Sequence, residues 1–293
     1  MRRTSLYGAA LVLVAAACGT GEATTTIATT SPPVTTTPPA VTTTAPPAAT
    51  TTVSALPDLG GREITVAVEN AYLPFNYIDP ATGVAAGWDY DALAAICGLL
   101  NCTPSFQETA WDGMIIAVSQ GEFDMAADGI TITDERKEQV DFSDGYISVE
   151  QQLIVRKDEA RFATLEEFIA GAFTVATQTG TTNYDTAVAN VGADRVQAFE
   201  QFGFAVQALI AGDADAVIID NTAGVGYVGE NKDAIRLLDG SLSSDALGFI
   251  YPKGSDLVVP INAALTEMAA NGTMAQLADK FFTDKFTVTY DDL

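Results

Sequence analysis

One segment of the chain places an arginine after a run of hydroxyl side chains. A mostly apolar run, 123–127, leads to Gly129, and Thr131 and Thr133 then alternate with isoleucines before Arg136. The planar guanidinium of arginine binds a carboxylate through two hydrogen bonds, and threonine hydroxyls can donate or accept nearby. The pattern predicts a strand end that offers a fixed cation to a small ligand, as one half of an amino-acid site. The alternative is an ordinary turn in which an exposed arginine pairs with one of the two acids before it.

The composition excludes several classes of function. The chain has no histidine, which excludes histidine-based acid–base catalysis, a Ser-His-Asp triad and the usual zinc sites. Its 14 basic and 38 acidic residues give a net charge of −24, so nucleic acids and anionic lipid surfaces are poor partners. With 293 residues and 48% hydrophobic content, the chain can bury a core in one or two domains. We expect no cofactor, no metal ion and no nucleic-acid partner.

The first residues have the features of an export signal. A basic start precedes the apolar stretch 6–17, which ends in small residues and is too short to span a bilayer stably. Residues 1–17 are therefore predicted to be a signal peptide that is removed. Cleavage before Cys18 would leave an N-terminal cysteine, and residues 14–19 resemble the box at which bacterial lipoproteins are acylated. The alternative is plain secretion with cleavage after Ala17.

A linker is predicted after the export signal. Residues 19–56 are almost entirely Thr, Pro, Ala and Ser, a composition that cannot bury apolar surface and that prolines keep extended. We expect residues 18–57 to form a lipid-anchored tether, and its threonines are candidates for glycosylation.

From residue 62 onward, strand signals alternate with helix signals. Runs of β-branched and small apolar residues predict strands over 63–68, 124–127, 173–177, 214–219 and 246–251. Apolar residues at helical spacing predict helices over 88–100, 113–120, 182–191, 206–211, 256–270 and 274–282. Asp112 is predicted to cap the second of these helices, and 164–167 form a capping box that opens a further short helix.

This order of elements predicts the fold class. Strand, helix and strand in series imply right-handed parallel crossovers, and therefore an α/β protein. Two similar blocks followed by a C-terminal return suggest two lobes joined by two crossing strands. We place lobe 1 at 58–149 and 244–293, and lobe 2 at 150–243.

Two cysteines lie close together at the end of the first long helix. In an exported chain, Cys97 and Cys102 are expected to form a disulfide. The alternative is a pair of free thiols. A metal site would need more ligands nearby than these two residues supply.

Several motifs together resemble one protein family. The segments that carry the resemblance are 69–75, 87–91, 129–136, 141–146, 178–182 and 214–220. In order and spacing they resemble the polar amino-acid-binding proteins of bacterial ATP-driven importers, extracellular solute-binding protein family 3, over about residues 61–282. The resemblance implies a type II periplasmic-binding fold, in which two α/β lobes close on a ligand. It also implies a monomer that delivers its ligand to a membrane permease with its ATPase.

The resemblance assigns roles to residues that would hold the zwitterion of an amino acid. Arg136 corresponds to the fork that binds the α-carboxylate, helped by the backbone N–H of Thr131 and by Thr181 at a helix N-terminus. Asp220 corresponds to the acceptor of the α-ammonium group, with the Gly129 carbonyl and the Thr131 hydroxyl completing its shell.

A second group of residues is expected to face the ligand side chain. Tyr72 and Trp111 stand where aromatic rings flank that side chain, although aromatic residues after a strand are also common core residues. Glu69 and Asp128 would lie at its far end, and Gln178 stands where some glutamine-binding relatives carry a lysine. Two carboxylates, with glutamine in place of that lysine, make this end of the pocket negative. A negative end favours arginine, lysine or ornithine over glutamine and other neutral polar amino acids.

Two alternatives to a transport receptor belong to other classes. Exported cyclohexadienyl or arogenate dehydratases resemble these binding proteins, and Glu69 or Asp128 would then be the general acid. The other alternative is the ligand-sensing partner of a separate signalling protein. We expect a non-enzymatic receptor because the residues for an amino-acid clamp are all present.

Overall fold

The computed structural model describes residues 56–283, 285, 286 and 288. The predicted signal peptide, Cys18 and the linker up to residue 55 lie outside the described residues. In the described part of the chain, no helix combines the length and the apolar character needed to cross a membrane.

Most of the strands are short, and most are connected by helices. In chain order they are β1 Arg62–Val68, β2 Ala71–Tyr72, β3 Asn76–Ile78, β4 Ala85–Ala86, β5 Cys102–Glu108, β6 Met125–Ala126, β7 Asp141–Phe142, β8 Ile147–Arg156, β9 Val175–Gln178, β10 Val196–Phe199, β11 Ala216–Asp220, β12 Ile235–Leu247 and β13 Ile250–Tyr251.

The helices range from six to thirteen residues. In chain order they are α1 Trp88–Leu100, α2 Met114–Ser119, α3 Asp134–Gln139, α4 Leu165–Ala170, α5 Thr182–Val191, α6 Phe202–Ala211, α7 Asn221–Glu230, α8 Val258–Ala270 and α9 Thr273–Phe281.

The first sheet places two acidic residues side by side. Its strand order is β5-β1-β6-β13-β7, with β1 parallel to both β5 and β6 and with β13 returning antiparallel. Ala67 of β1 is in register with Ala126 of β6. Glu69 and Asp128 each come two residues later, and the Glu69 N–H accordingly lies 3.4 Å from Asp128 Oδ1.

The second sheet repeats this arrangement with different side chains. Its order is β10-β9-β11-β8-β12, and β9 is parallel to both β10 and β11. Gln178 is the last residue of β9 and Asp220 the last of β11. Because ligands bind outside the carboxyl ends of parallel strands, both side chains lie where a ligand would enter.

Two long strands connect the sheets. β8 and β12 pair antiparallel from Ile147 to Arg156, and Leu247 of β12 also bridges to Thr131 beside the first sheet. The predicted fold, two α/β lobes joined by two crossing strands, is confirmed. The predicted lobe boundaries at 149/150 and 243/244 fall inside these two strands and remain a prediction.

Some predicted elements match the structure and others do not. The helices predicted over 88–100 and 182–191 match α1 and α5 to the residue. The predicted cap at Asp112 is wrong, because Gly113 is the N-cap of α2 in a left-handed conformation, φ 89°, without a side-chain cap. The strand predicted over 246–251 is two strands, since β12 ends at Leu247.

The capping box at the start of α4 behaves nearly as predicted. The Thr164 hydroxyl accepts a hydrogen bond from the Glu167 N–H at 3.2 Å. The Glu167 carboxylate reaches back one residue further than expected, to the N–H of Ala163 at 2.7 Å. Both bonds satisfy donors that the first turn of a helix leaves free.

The Cys97–Cys102 disulfide is present and joins α1 to β5. Cys102 is the first residue of β5. The bond therefore fixes the end of a core helix to the edge strand of the first sheet.

Candidate functional site

All ten residues predicted to bind the ligand line one cavity between the lobes, with an empty volume of about 310 Å³. We call it the interlobe cavity. The cavity is lined by Glu69, Tyr72, Trp111, Asp128, Gly129, Thr131, Arg136, Gln178, Thr181, Thr182, Asn183, Phe202 and Asp220.

Three of these residues were not predicted from the sequence. Thr182 and Asn183 begin α5 directly after Thr181, so the polar start of that helix was the available signal. Phe202 begins α6, which the apolar spacing had placed four residues too late.

Arg136 is a helical residue and not part of a turn. Thr133 caps α3 by accepting from the Arg136 N–H at 3.1 Å, and the side chain of Arg136 is buried. Its guanidinium donates to the Thr131 carbonyl at 2.9 Å and reaches the Gly180 carbonyl of the other lobe at 3.5 Å. Among the described residues, Arg136 forms no ion pair, so the charge remains available to a ligand carboxylate.

Trp111 covers one face of this arginine. The guanidinium carbon of Arg136 lies 5.3 Å from the centroid of the Trp111 ring, a cation–π distance. Burial lowers the pKa of Arg136, while the negative charges of Asp185 and Asp220 act in the opposite direction. An anionic ligand at this point would stabilise the charged guanidinium.

Asp220 is the acidic counterpart in the second lobe. Its carboxylate accepts from the Tyr72 hydroxyl at 2.8 Å and from the Asn183 amide at 3.3 Å. Burial raises the pKa of Asp220 to about 6, partly offset by these two donors. The group is mostly ionised at neutral pH and can still accept a hydrogen bond from an ammonium group.

Aromatic rings form the wall beside Asp220. The Tyr72 ring stacks between Phe75 and Phe202, at 5.3 Å from each ring centroid. Gly129 lies against its edge with φ 58°, and a Cβ at this position would be 2.6 Å from the Tyr72 ring. Only glycine fits here, which explains why the strand end carries one.

Glu69 and Asp128 form a second acidic part of the cavity, which we call the acidic end. Gln178 donates to both carboxylate oxygens of Glu69, at 2.9 and 3.1 Å, and also to the Glu200 carbonyl. Asp128 accepts from the Asn76 amide and from the Glu69 N–H. Burial raises the pKa of Glu69, and burial together with the charge of Glu69 raises that of Asp128 well above its usual range.

Hydroxyl groups line the floor of the cavity. Thr181 caps α5 by accepting from the Tyr184 N–H at 3.1 Å and donates to the Gln178 carbonyl at 2.8 Å. The Thr131 hydroxyl, expected beside an ammonium group, lies 3.2 Å from the Thr182 hydroxyl of the other lobe. The contact between Thr131 and Thr182 joins the two lobes directly.

Comparison with known proteins places the chain in a family. Residues 64–284 match the model of the bacterial extracellular solute-binding proteins, family 3. The chain is 30% identical over 222 residues to the L-cystine-binding protein TcyA of Bacillus subtilis, a match that covers 75% of this chain and 81% of TcyA. Other similar proteins are named for binding histidine, arginine or glutamine. The chain belongs to this family, and the relatives named here are amino-acid-binding proteins.

Solved structures show the same architecture. The arginine-, lysine-, histidine-binding protein ArtJ of Geobacillus stearothermophilus is 28% identical with a TM-score of 0.70, and the match covers 75% of this chain and 95% of ArtJ. The ancestral amino acid-binding protein AncCDT-1, a precursor of cyclohexadienyl dehydratase, is 32% identical with a TM-score of 0.70, covering 75% of this chain and 96% of the other.

Proposed function

We propose that this member of the bacterial extracellular solute-binding proteins, family 3, is the receptor of an ATP-driven importer for a basic amino acid: arginine, lysine or ornithine. The observation that carries the proposal is the pair of adjacent acidic residues, Glu69 and Asp128, that line the interlobe cavity. Among the described residues that line this cavity, Arg136 is the single basic one, and it lies on the side of Trp111 and Gly180.

The two charged groups Arg136 and Asp220 suit the zwitterion. Arg136 would bind the α-carboxylate with both prongs of its guanidinium, near the N-terminus of α5 at Thr181. Asp220 would accept the α-ammonium group while keeping its bond to Asn183. Because Arg136 lies on the helix between two strands of the first sheet, β6 and β7, and Asp220 ends a strand of the second, one ligand would bridge the lobes and favour their closure.

Charge selects the side chain in this proposal. At an effective dielectric constant of about 20, one unit pair about 4 Å apart is worth about 4 kcal/mol before desolvation, enough to discriminate among amino acids. The carboxylates of Glu69 and Asp128 would attract a guanidinium or ammonium and repel the side chains of aspartate and glutamate. Tyr72 and Trp111 would flank the methylene groups of the ligand, with a cation–π contribution of about 0.5–2 kcal/mol.

A dehydratase on the same fold is the second candidate. The similarity to the precursor of cyclohexadienyl dehydratase and the raised pKa of Asp128 favour it. Against it, Asp128 already accepts two hydrogen bonds, and the groups suited to a zwitterion, Arg136 and Asp220, face the same cavity. Incubation with prephenate and with arogenate, followed by detection of the aromatic product, separates the two functions.

The partners and location follow from the same proposal. A membrane permease and its ATPase would receive the ligand, and the protein would act as a monomer. Acylation of Cys18 and the Thr/Pro-rich linker would hold it at the outer face of the bacterial cell membrane. Globomycin-sensitive processing and mass spectrometry of the mature N-terminus would test the anchor.

A binding screen tests the ligand class. A ligand at about 100 times its dissociation constant stabilises a protein by about 2.7 kcal/mol, which a thermal-shift screen of the amino acids detects. Arginine, lysine or ornithine should give the largest shift, and the double variant Glu69→Gln, Asp128→Asn should lose that preference. Stronger displacement of the bound ligand by glutamine or glutamate than by arginine and lysine would overturn the assignment.

A further inference from the structure

A third buried carboxylate lies behind the acidic end of the interlobe cavity. Asp89, in the first turn of α1, is fully buried, and its Oδ2 accepts from the Asn76 amide nitrogen at 2.9 Å. The same nitrogen donates to Asp128 Oδ1. One amide group of Asn76 therefore joins a carboxylate that lines the cavity to one that does not.

Asn76 is held in the orientation that makes this connection. Its Oδ1 accepts from the Asn70 N–H at 2.8 Å, which directs the two hydrogens of the amide toward Asp89 and Asp128. Asn76 has no exposed surface. An amide nitrogen donates two hydrogen bonds, so both are used, and the second oxygen of Asp89 has no partner among the described residues.

We call the three carboxylates of Glu69, Asp128 and Asp89 the acid cluster. Among the described residues, no lysine or arginine forms an ion pair with any of them. Adjacent buried carboxylates cannot all be ionised, because desolvation and mutual repulsion both favour the protonated form. Burial raises the pKa of Asp89 to about 7, in agreement with this argument.

The groups around the acid cluster do not supply the missing charge. Tyr90 of α1, Tyr146 before β8 and Tyr72 of β2 face it as neutral phenols whose pKa values burial raises. Gln178 of β9 donates a neutral hydrogen bond to Glu69. The charge of Arg136 on α3 is coupled instead to Asp185, Asp220 and Glu135.

We propose that the acid cluster, in which Asn76 bridges Asp89 and Asp128, holds a proton when the cavity is empty and that a cationic ligand side chain displaces this proton to solvent. Asn76 and Asp89 would then help to determine specificity without touching the ligand. A guanidinium beside Glu69 and Asp128 supplies the missing positive charge, so the cluster ionises further. A neutral side chain leaves the proton in place. This inference rests on the proposed function, because it needs a basic amino acid in the cavity.

Arginine and citrulline provide a matched pair of ligands for the test. They share the α-carboxylate and α-ammonium groups, so any proton exchanged at Asp220 is common to both and cancels in the comparison. They differ in the charge at the end of the side chain. Isothermal titration calorimetry in buffers of different ionisation enthalpy counts the protons released on binding each ligand.

The expected result is a larger proton release with arginine than with citrulline. The affinity for arginine divided by that for citrulline should rise with pH between about pH 6 and 8. The rise is up to tenfold per pH unit for each additional proton that arginine releases. Asp89→Asn and Asp128→Asn should each reduce the difference in proton release. Asp91→Asn, on the same helix but paired with Lys280 at the surface, should leave it unchanged.

If a variant fails to fold, the proton release that arginine and citrulline cause in the wild-type protein is sufficient to test the inference. Equal proton release by arginine and citrulline, with a pH-independent affinity ratio, would overturn the inference and leave the proposed function intact. If arginine does not bind while another amino acid does, the proposed function fails and the inference fails with it.

Discussion

The Tyr72 hydroxyl donates to Asp220 across the cleft, with its oxygen 2.8 Å from Asp220 Oδ2. Tyr72 was expected beside the ligand side chain and Asp220 at the ligand ammonium group. The two residues belong to opposite lobes and are hydrogen-bonded to each other. Tyr72 therefore helps to keep Asp220 ionised, since its hydrogen bond lowers the pKa that burial raises. Tyr72, part of the aromatic wall, therefore also supports Asp220, which together with Arg136 forms the charged clamp for the zwitterion.

Removing this hydroxyl should weaken ligand binding. Tyr72→Phe keeps the stacking on Phe75 and Phe202 but takes a donor from a buried carboxylate, a change of about 1.5–3 kcal/mol for a charged acceptor. Without that donor, the pKa of Asp220 rises, so the loss of affinity should be larger at pH 6 than at pH 8. Calorimetry at both pH values measures it. Tyr77→Phe, a tyrosine outside the interlobe cavity, is the control, and equal losses in both variants would contradict the role of Tyr72.

The two charges of the clamp should carry most of the recognition of the zwitterion. Arg136→Ala and Asp220→Ala each leave a ligand charge unpaired in a buried site, at a cost of about 2–5 kcal/mol in binding. Arg136→Lys should also bind weakly, because a point charge cannot replace the planar fork. Lys137→Ala, the neighbouring residue with an exposed side chain on α3, should bind as the wild type does. Affinities of Arg136→Ala and Asp220→Ala within threefold of wild type would disprove the clamp.

The acidic residues at the strand ends were predictable from the sequence, and the buried residues that contact them, such as Asn76, were not. Glu69, Asp128 and Asp220 follow or end apolar runs, and the register of parallel strands brings such residues together at one edge. Asn76 lies in a strand of three residues, and its partners Asp89 and Asp128 are 13 and 52 residues away in sequence. Contacts between residues so far apart in the chain are not predicted by a local sequence pattern.

The missed helices have a similar physical explanation. The segment Asp134–Gln139 has no apolar side chain, so hydrophobic spacing gave no signal, although Thr133 caps it and thereby orients Arg136. The helix Asn221–Glu230 contains glycines that lower helix propensity, and packing against β8 and β12 overrides that preference. A local cap therefore supports the first of these helices, and tertiary contacts support the second.

The disulfide should support the fold and not the ligand. Closing the short loop between Cys97 and Cys102 restricts the unfolded chain and stabilises the fold by about 2 kcal/mol in the loop-entropy description. Replacing both cysteines by serine should lower the free energy of unfolding by about this amount, while the affinity for the ligand stays within about twofold. Denaturant titration and calorimetry measure the two quantities. Alkylation of two thiols in the native exported protein, detected by mass spectrometry without reduction, would show that the bond does not form.

Glu230, at the end of α7, should make stability depend on pH. Burial raises its pKa from 4.5 to about 7, and no other cause contributes. Because the folded state binds this proton more tightly than the unfolded chain does, the stability due to the neutral acid is complete below about pH 4.5. It is lost as the pH rises through about 7.

Glu230→Gln removes this dependence, because glutamine stays neutral. The melting temperature of the variant should equal that of the wild type near pH 4.5 and exceed it by an amount that grows up to about pH 7 and then remains constant. Calorimetric scans at several pH values without ligand test this expectation. Glu267→Gln, a partly exposed acid on α8, is the matched control. A difference between Glu230→Gln and wild type that is the same at pH 4.5 and pH 8 would show that burial of the charged form has no cost.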